Sequence, residues 1–341
     1  MNASLDHLRR CTVAVDLGAS RTRVYLKGTG IVVDEPSVVA VDCRTGSLVA
    51  VGTVADLMTG RTPEHIRVLR PISNGTVVDI GLAQRMLRNL MDDRLRKTLR
   101  RKPVLRAAAC VPYGSEPVSR RAAVETLTGF GARRVELVDS LVAAAIGCGL
   151  PVEHPEATCV VLCGASTTQV AVLSLGSIVT AETIPVGGEV IDRAIVLHLR
   201  HQHALMLPSQ GVRPLHAIFG TADAGPASTQ VYGTDAASGM ARSVEVDAEA
   251  VRLAIRSPLY AVLDAVRAVL RRCPPDLVAD LVERGITLAG GGAALPGLRS
   301  MLHETTHMPV HVADHPGGCV VRGLGAMIEG QVRPMAMETV R

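Results

Sequence analysis

Asp16 and the run Gly18-Ala19-Ser20 two residues later are the first residues of this chain whose types and spacing could do chemistry. Small side chains at a tight turn leave successive backbone N–H groups open, and such a nest binds phosphate. A carboxylate just ahead of the turn is placed to hold the water shell of a Mg²⁺ ion. The flanking residues supply the element such a turn needs. Val13, Ala14, Val15 and Leu17 run into it and Val24-Tyr25-Leu26 run out, which predicts a buried strand, a small-residue turn and a second strand.

The same device recurs 146 positions later, in the stretch CVVLCGASTTQVAVL over residues 159–173. Gly164-Ala165-Ser166 matches Gly18-Ala19-Ser20, Thr168 matches Thr22, and Val161 and Val170 match Val15 and Val24. A repeat of this kind outranks local propensity in deciding architecture. Two related halves, each opening on a phosphate-type hairpin, imply a nucleotide gripped between them. The copies differ at one position that matters, because Leu162 stands where the first has Asp16. A third glycine run, Gly290-Gly291-Gly292 followed by Ala293, comes after apolar 286–288 and before a predicted helix over 298–306. Alone it is a weak signal. After two phosphate-type hairpins it is the expected nucleoside-binding loop, since glycine lets backbone approach a flat ligand and a helix N-terminus favours negative charge. Gly187-Gly188 likewise ends a strand and opens a helix, with Asp192 one turn in.

Composition bounds the rest. At 341 residues the chain is long enough for two domains with substantial cores. Hydrophobic residues make up 48% and aromatics 2% with no Trp, so the cores must be built from Val, Leu, Ala and Ile. A net charge of +4 does not argue for nucleic acid. The eight cysteines are scattered without a C-x-x-C pair, as small core residues of a reducing compartment are. Cys159 and Cys163 lack His or carboxylate partners and are not read as a metal site. No signal peptide and no apolar run of about 18 residues stands out, which predicts a cytoplasmic protein that does not span a membrane.

Around the hairpins the pattern predicts a β-rich lobe over 31–60, a loop over 57–66, and a helix over 81–99. That helix runs into a basic stretch of Arg94, Arg96, Lys97, Arg100, Arg101 and Lys102, read either as a solvated face or as a contact for anionic lipid. A buried strand over 104–112, a helix over 119–130 and a strand over 135–139 follow. The small-residue helix over 141–148 is a natural hinge between the halves. Residues 207–243, rich in Gly, Pro, Ser, Ala and Thr, predict a second inserted, loop-rich lobe before an amphipathic helix over 251–271. At the start of the chain, Leu5 and Leu8 either lie in a frayed terminus or make an amphipathic turn on a membrane.

The chain resembles the bacterial actins of the MreB/Mbl type, within the superfamily of actins, sugar kinases and heat-shock ATPases. The stretches VDLGASRTRVYLKGTGIVVDEPSVVAV, GRTPEHIRVLRP, GGEVIDRAI and PPDLVADLVERGITLAGGGAALPGL carry the resemblance, which extends from Val13 to about Gly330. It implies an α/β, actin-like (ribonuclease H-like, duplicated) fold, with two domains that each carry an inserted smaller subdomain around an interdomain cleft. The implied subdomains are IA (1–32, 71–146, 320–341), IB (33–70), IIA (147–190, 258–319) and IIB (191–257). It further implies ATP with Mg²⁺ in the cleft, self-assembly into paired protofilaments, and attachment to the anionic inner face of the cytoplasmic membrane. A true MreB and cell-wall synthesis proteins are the implied protein partners, with no nucleic acid.

Mapped by position, the nucleotide contacts would come from Asp16, Gly18, Ala19, Ser20 and Arg21 in the first hairpin, with Asp16 holding the metal through water. Gly164, Ser166, Thr167 and Thr168 in the second, Gly188, and Gly290 to Ala293 would supply others, and Arg213 and His216 the ribose and base clamp. The departures from the family gather here. The family has Asp at Leu162, Glu at Gln169, Gly at Ala165 and Ser166, and Ala-Glu-Glu-Ile-Lys where this chain has Val212-Arg213-Pro214-Leu215-His216. Its Glu-Glu-Pro is here Asp139-Ser140-Leu141, which leaves Ser140 at the water-orienting position with Asp139 beside it, facing elsewhere. In the first hairpin Ala19-Ser20-Arg21 replaces Thr-Ala-Asn. The expectation is a membrane-associated filament protein that guides cell-wall synthesis and cell shape, with weak or absent ATP turnover. A conventional ATP-hydrolysing MreB filament and a non-polymerising adaptor of a true MreB are the alternatives.

Overall fold

Both hairpins form where alternating apolar residues meet small turn residues. The computed structural model describes residues 5–91, 106–208, 211–212, 215 and 228–331. After α1 (Leu5–Arg9), strands β1 (Val13–Leu17), β2 (Arg21–Leu26) and β3 (Gly30–Pro36) make an antiparallel meander. A small lobe follows, of β4 (Val39–Asp42), β5 (Leu48–Val51), α2 (Gly52–Leu57) and β6 (Ile66–Leu69), in sheet order β5-β4-β6. A short ribbon, β7 (Ile72–Ser73) and β8 (Thr76–Val77), returns the chain to α3 (Ile80–Leu90). Then β9 (Arg106–Val111), α4 (Pro117–Phe130), β10 (Arg134–Asp139) and α5 (Ser140–Gly147) complete the half. The first sheet runs β10-β9-β1-β2-β3, with β9 and β10 parallel to β1.

The second half repeats the plan. Its meander is β11 (Thr158–Cys163), β12 (Thr168–Ser174) and β13 (Ser177–Ile184), followed by α6 (Gly188–His203). The inserted lobe holds β14 (Leu205–Met206), β15 (Ser228–Asp235) and β16 (Ala241–Asp247). Helices α7 (Ala248–Arg272) and α8 (Pro275–Arg284) lead to β17 (Ile286–Ala289), α9 (Leu298–Thr306), β18 (Val310–Val312) and α10 (Cys319–Glu329). Sheet order β13-β12-β11-β17-β18, with β17 and β18 parallel to β11, matches the first sheet strand for strand. The α/β duplication read from the 146-residue repeat is what the chain forms.

Three expectations change. The helix expected over 81–99 is capped by Asp79, whose carboxylate accepts from Leu82 N, and its described part ends at Leu90. The basic run from Arg94 to Lys102 lies outside the described residues. The second lobe contains more strand than its composition promised, because β15 and β16 pair in register from Ser228↔Asp247 to Thr234↔Ala241 and bury Val231 and Val246. The first turn is neither frayed nor turned to a membrane, since Leu5 and Leu8 are buried in the cluster that includes Leu324, Met327 and Ile328 of α10.

That cluster places the site. It joins Ala14 and Ala108 of the first sheet to Val160, Leu162, Ala171 and Ala289 of the second, with α5 and α10 as its helices. The two helices cross at glycines. A Cβ on Gly147 would overlap the carbonyl oxygen of Cys319, and one on Gly323 that of Ala143. Backbone-to-backbone packing of this kind fixes how the two hairpins face each other.

Candidate functional site

The two hairpin tips are closed by the same bond. Gly18 N–H donates to Arg21 O at 3.2 Å, and Gly164 N–H donates to Thr167 O at 2.8 Å. A Cβ at either glycine would lie within 2.9 Å of that acceptor oxygen, so each tip depends on glycine. The start of α6 rests on the second tip, with Gly188 N donating to Gly164 O at 3.0 Å and Glu189 N to Ala165 O at 2.8 Å. The third wall is the glycine loop, where Gly290 has φ +85° and a Cβ would overlap the Cys163 carbonyl.

Together these walls enclose a cleft of about 950 Å³, large enough for a nucleotide. It is lined by Asp16, Gly18, Ala19, Ser20 and Arg21, by Ser140 and Leu162, by Gly164, Ser166, Thr167 and Gly188, and by Gly290, Gly291 and Gly292. Two expected residues turn away, and Asp139, read as facing elsewhere, is absent from the lining. Thr168 is buried and donates to Val186 O at 2.7 Å, and Ala293 packs in the core of the second half. Asp139 ends β10 without reaching the cleft, its carboxyl pushed up by burial against the opposing pull of Arg120. Arg213 and His216 lie outside the described residues.

Several lining residues went unread in the sequence: Arg23, Arg70, Cys110, Glu189, Arg193 and Leu295. Arg23 was the legible one. A turn closed by Gly18 and Arg21 sets Leu17 opposite Thr22 and therefore Asp16 opposite Arg23. The spacing of Glu189, Asp192 and Arg193 from Gly188 also marks one face at the start of a helix. Arg70 needs the fold, because it reaches from the lobe side, with Nη2 3.3 Å from Asp56 Oδ1 and Nη1 donating to Ala19 O at 3.4 Å.

The charges at the first tip are arranged as a chain. Asp16 Oδ2 lies 3.7 Å from Arg23 Nη1, and both side chains are largely buried, at 16% and 13% exposure. Arg23 Nε is 3.1 Å from Asp34 Oδ1, and the same oxygen accepts from Arg21 Nε at 2.6 Å. Burial pushes the Asp16 carboxyl up to about 6, Arg23 holds it down in part, and Asp34 adds to the rise. In the second copy the corresponding cross-strand pair is Leu162↔Gln169, which is neutral.

At the position expected to orient water, Ser140 and Gln169 satisfy each other. Gln169 Oε1 accepts from Tyr113 N at 2.9 Å, and Gln169 and Ser140, both buried, bond to each other at 3.0–3.2 Å. Neither an amide nor an aliphatic hydroxyl is basic enough to draw a proton from water near neutral pH.

Between its two hairpin tips the site fits the phosphates of a nucleotide and does not fit a divalent cation, the other carboxylates of the lining, Glu189 and Asp192, lying at the start of α6. Glycine-based tips facing one another across a large cleft suit phosphate and a flat base. Mg²⁺ is usually held through one or two carboxylates. Here the hairpin pair offers only Asp16, already paired with a guanidinium, opposite an apolar Leu162 that is 7% exposed. Among the described residues no group of three or more His, Cys, Asp or Glu side chains gathers as a metal site.

Comparison with known proteins agrees with this architecture. The family model for MreB/Mbl protein matches residues 10–335. The cell shape-determining protein MreB of Escherichia coli (strain K12) is 38% identical over 323 residues, 93% of each chain. The cell shape-determining protein Mbl of Bacillus subtilis (strain 168) is 34% identical over 319 residues, 93% of this chain and 95% of the relative. Among solved structures, MreB 5 of Spiroplasma citri bound to AMPPNP superposes with a TM-score of 0.86 at 27% identity, covering 91% of this chain and 93% of that one. A MamK double helical filament, at 19% identity and TM-score 0.74 over 93% and 98% of the two chains, shares the actin-like fold.

Proposed function

The chain belongs to the MreB/Mbl family and is an actin-type cytoskeletal protein of cell shape; within that role we propose that its cleft binds a nucleoside di- or triphosphate and turns it over slowly or not at all. The observation that carries the second half is the Ser140–Gln169–Tyr113 network facing Leu162. A hydrolytic site must align and deprotonate a water. In this chain the position is filled by two neutral side chains that satisfy each other. Loss of a positioned general base typically costs about 10²–10⁴-fold in rate.

Binding draws on groups that remain. The Gly18–Arg21 and Gly164–Thr167 tips line the cleft with small residues, and the start of α6 beside the second tip adds the positive end of its dipole. The Gly290–Gly292 loop offers a shelf open to a flat base, since nothing lies within 4 Å of a Cβ at Gly291. The solved MreB 5 of Spiroplasma citri was bound to AMPPNP in one case and ADP in another, which supports a nucleotide as the occupant here.

By the same reading the chain self-associates into filaments that lie on the inner face of the membrane and guide cell-wall synthesis. No described helix is long and apolar enough to cross a membrane, so attachment would be peripheral, through the basic run from Arg94 to Lys102. The test is calorimetric titration of purified protein with ATP and ADP, followed by pelleting with and without nucleotide. Weak binding with nucleotide-responsive pelleting is expected. Failure of both nucleotides to bind would reject the cleft as their site.

A further inference from the structure

Asp16 is the one carboxylate the paired hairpins present, and Arg23, its cross-strand neighbour, lines the cleft with it, Nη1 3.7 Å from Asp16 Oδ2. Arg23 is not a loose side chain. It is 13% exposed, ion-paired with Asp34 across 3.1 Å though its Nε makes no hydrogen bond, and its guanidinium lies beside Gly317, with Nη2 3.6 Å from where a Cβ of Gly317 would stand. Asp34 in turn fixes Arg21, which donates from Nε to the Asp34 carboxylate at 2.6 Å and from Nη2 to the Asp34 backbone oxygen at 2.5 Å. A divalent cation arriving at Asp16 would meet a fixed positive charge at contact distance, with Leu162 on the opposite hairpin offering no oxygen.

The arrangement solves a second problem. A metal between a carboxylate and a phosphate cancels their repulsion as well as holding both. With no metal, an uncompensated Asp16 would repel a polyphosphate. Arg23 compensates it in place, and guanidinium donors match phosphate oxygens. Arg21 and Arg70 line the same tip and add cationic donors.

We propose that this cleft binds the phosphates of a nucleoside di- or triphosphate without a divalent cation, the Arg23 guanidinium standing where the metal would bridge Asp16 to the phosphates. The inference rests on the nucleotide-binding reading above and deepens it. The second hairpin agrees, since Leu162↔Gln169 has neither the carboxylate to hold a metal nor a charge that needs one.

The test is titration of the full chain with ADP and with ATP, once in excess EDTA and once in excess MgCl₂. The dissociation constants should agree within about threefold between the two conditions. In the Arg23→Gln variant the EDTA affinity should fall about tenfold or more, the worth of one charge-assisted contact, and MgCl₂ should now restore part of it. Should Arg23→Gln leave Asp16 too poorly paired to fold, the double variant Asp16→Asn/Arg23→Gln carries neither charge. It should lose the EDTA binding and gain nothing from Mg²⁺. Binding by the parent only when Mg²⁺ is present would overturn the proposal and leave the nucleotide reading standing. Arg23→Gln binding in EDTA as tightly as the parent would overturn it equally. Absence of binding in both conditions would reject the nucleotide reading itself, and this proposal with it.

Discussion

Replacing Asp16 by Asn tests the electrostatics of the first hairpin directly. The Asp16 carboxyl is raised from an ordinary 3.8 to about 6, first by burial, with Arg23 opposing and Asp34 reinforcing. A carboxyl whose folded pKa lies above its unfolded value favours folding in its neutral form. That contribution is fully present below the unfolded pKa and is lost as pH rises through the folded one. The shift is about two units, each worth about 1.4 kcal/mol, so ionised Asp16 costs the fold up to roughly 3 kcal/mol at neutral pH. Asn has the shape of the neutral acid and never ionises. Relative to the parent, Asp16→Asn should be nearly neutral at about pH 4 and up to about 3 kcal/mol more stable at pH 7, with the change accruing between about pH 4 and pH 6. Urea unfolding of both proteins in EDTA across that range measures it. A stability difference that does not change with pH, or a variant weaker than the parent at pH 7, would refute the reasoning. The first result would mean that the pairing with Arg23 cancels the cost of burying the charge, the second that it outweighs that cost.

Restoring carboxylates at the cleft, Leu162→Asp with Ser140→Glu, should raise phosphate release in MgCl₂ by more than the two single changes combined, because metal and water serve one transition state. Leu162→Asp alone should also lower the melting temperature in EDTA, since it buries a carboxylate within the central cluster. Gly323→Ala drives a methyl onto the Ala143 carbonyl at the α5–α10 crossing and should cost about 1–3 kcal/mol or more, read from the urea midpoint. Neutralising Arg100, Arg101 and Lys102 together should abolish salt-sensitive sedimentation with anionic vesicles. A triple variant that sediments like the parent would leave that run a solvated face.

The duplicated sheets were legible because strand burial imposes a period of two and glycine-containing turns punctuate it. The hairpins at Gly18 and Gly164 announced themselves for that reason, and the repeat carried the architecture. Motif position did not reveal side-chain direction. Thr168 and Ala293 sit inside the right motifs, yet the strand pleat and the turn after Gly292 point them into the core. The β15–β16 ribbon was hidden by Gly, Ser and Thr, residues that read as loop until a cross-strand partner is present. Arg23 looked like one more polar residue on a strand. Its meaning lay in register, which sets it against Asp16, and in β3, which brings Asp34 to hold it. The Ser140–Gln169 network depended on tertiary placement, since its members are 29 residues apart and on different halves.

The central claim is that this cleft holds a nucleotide without the means to hydrolyse it. Phosphate release from ATP by the purified full chain, beside an MreB that retains the second-hairpin Asp and the water-orienting Glu, measures that claim most directly. The account predicts turnover about 10²-fold or more below the intact protein, with or without MgCl₂, while nucleotide still binds. Turnover equal to that of the intact protein would contradict it.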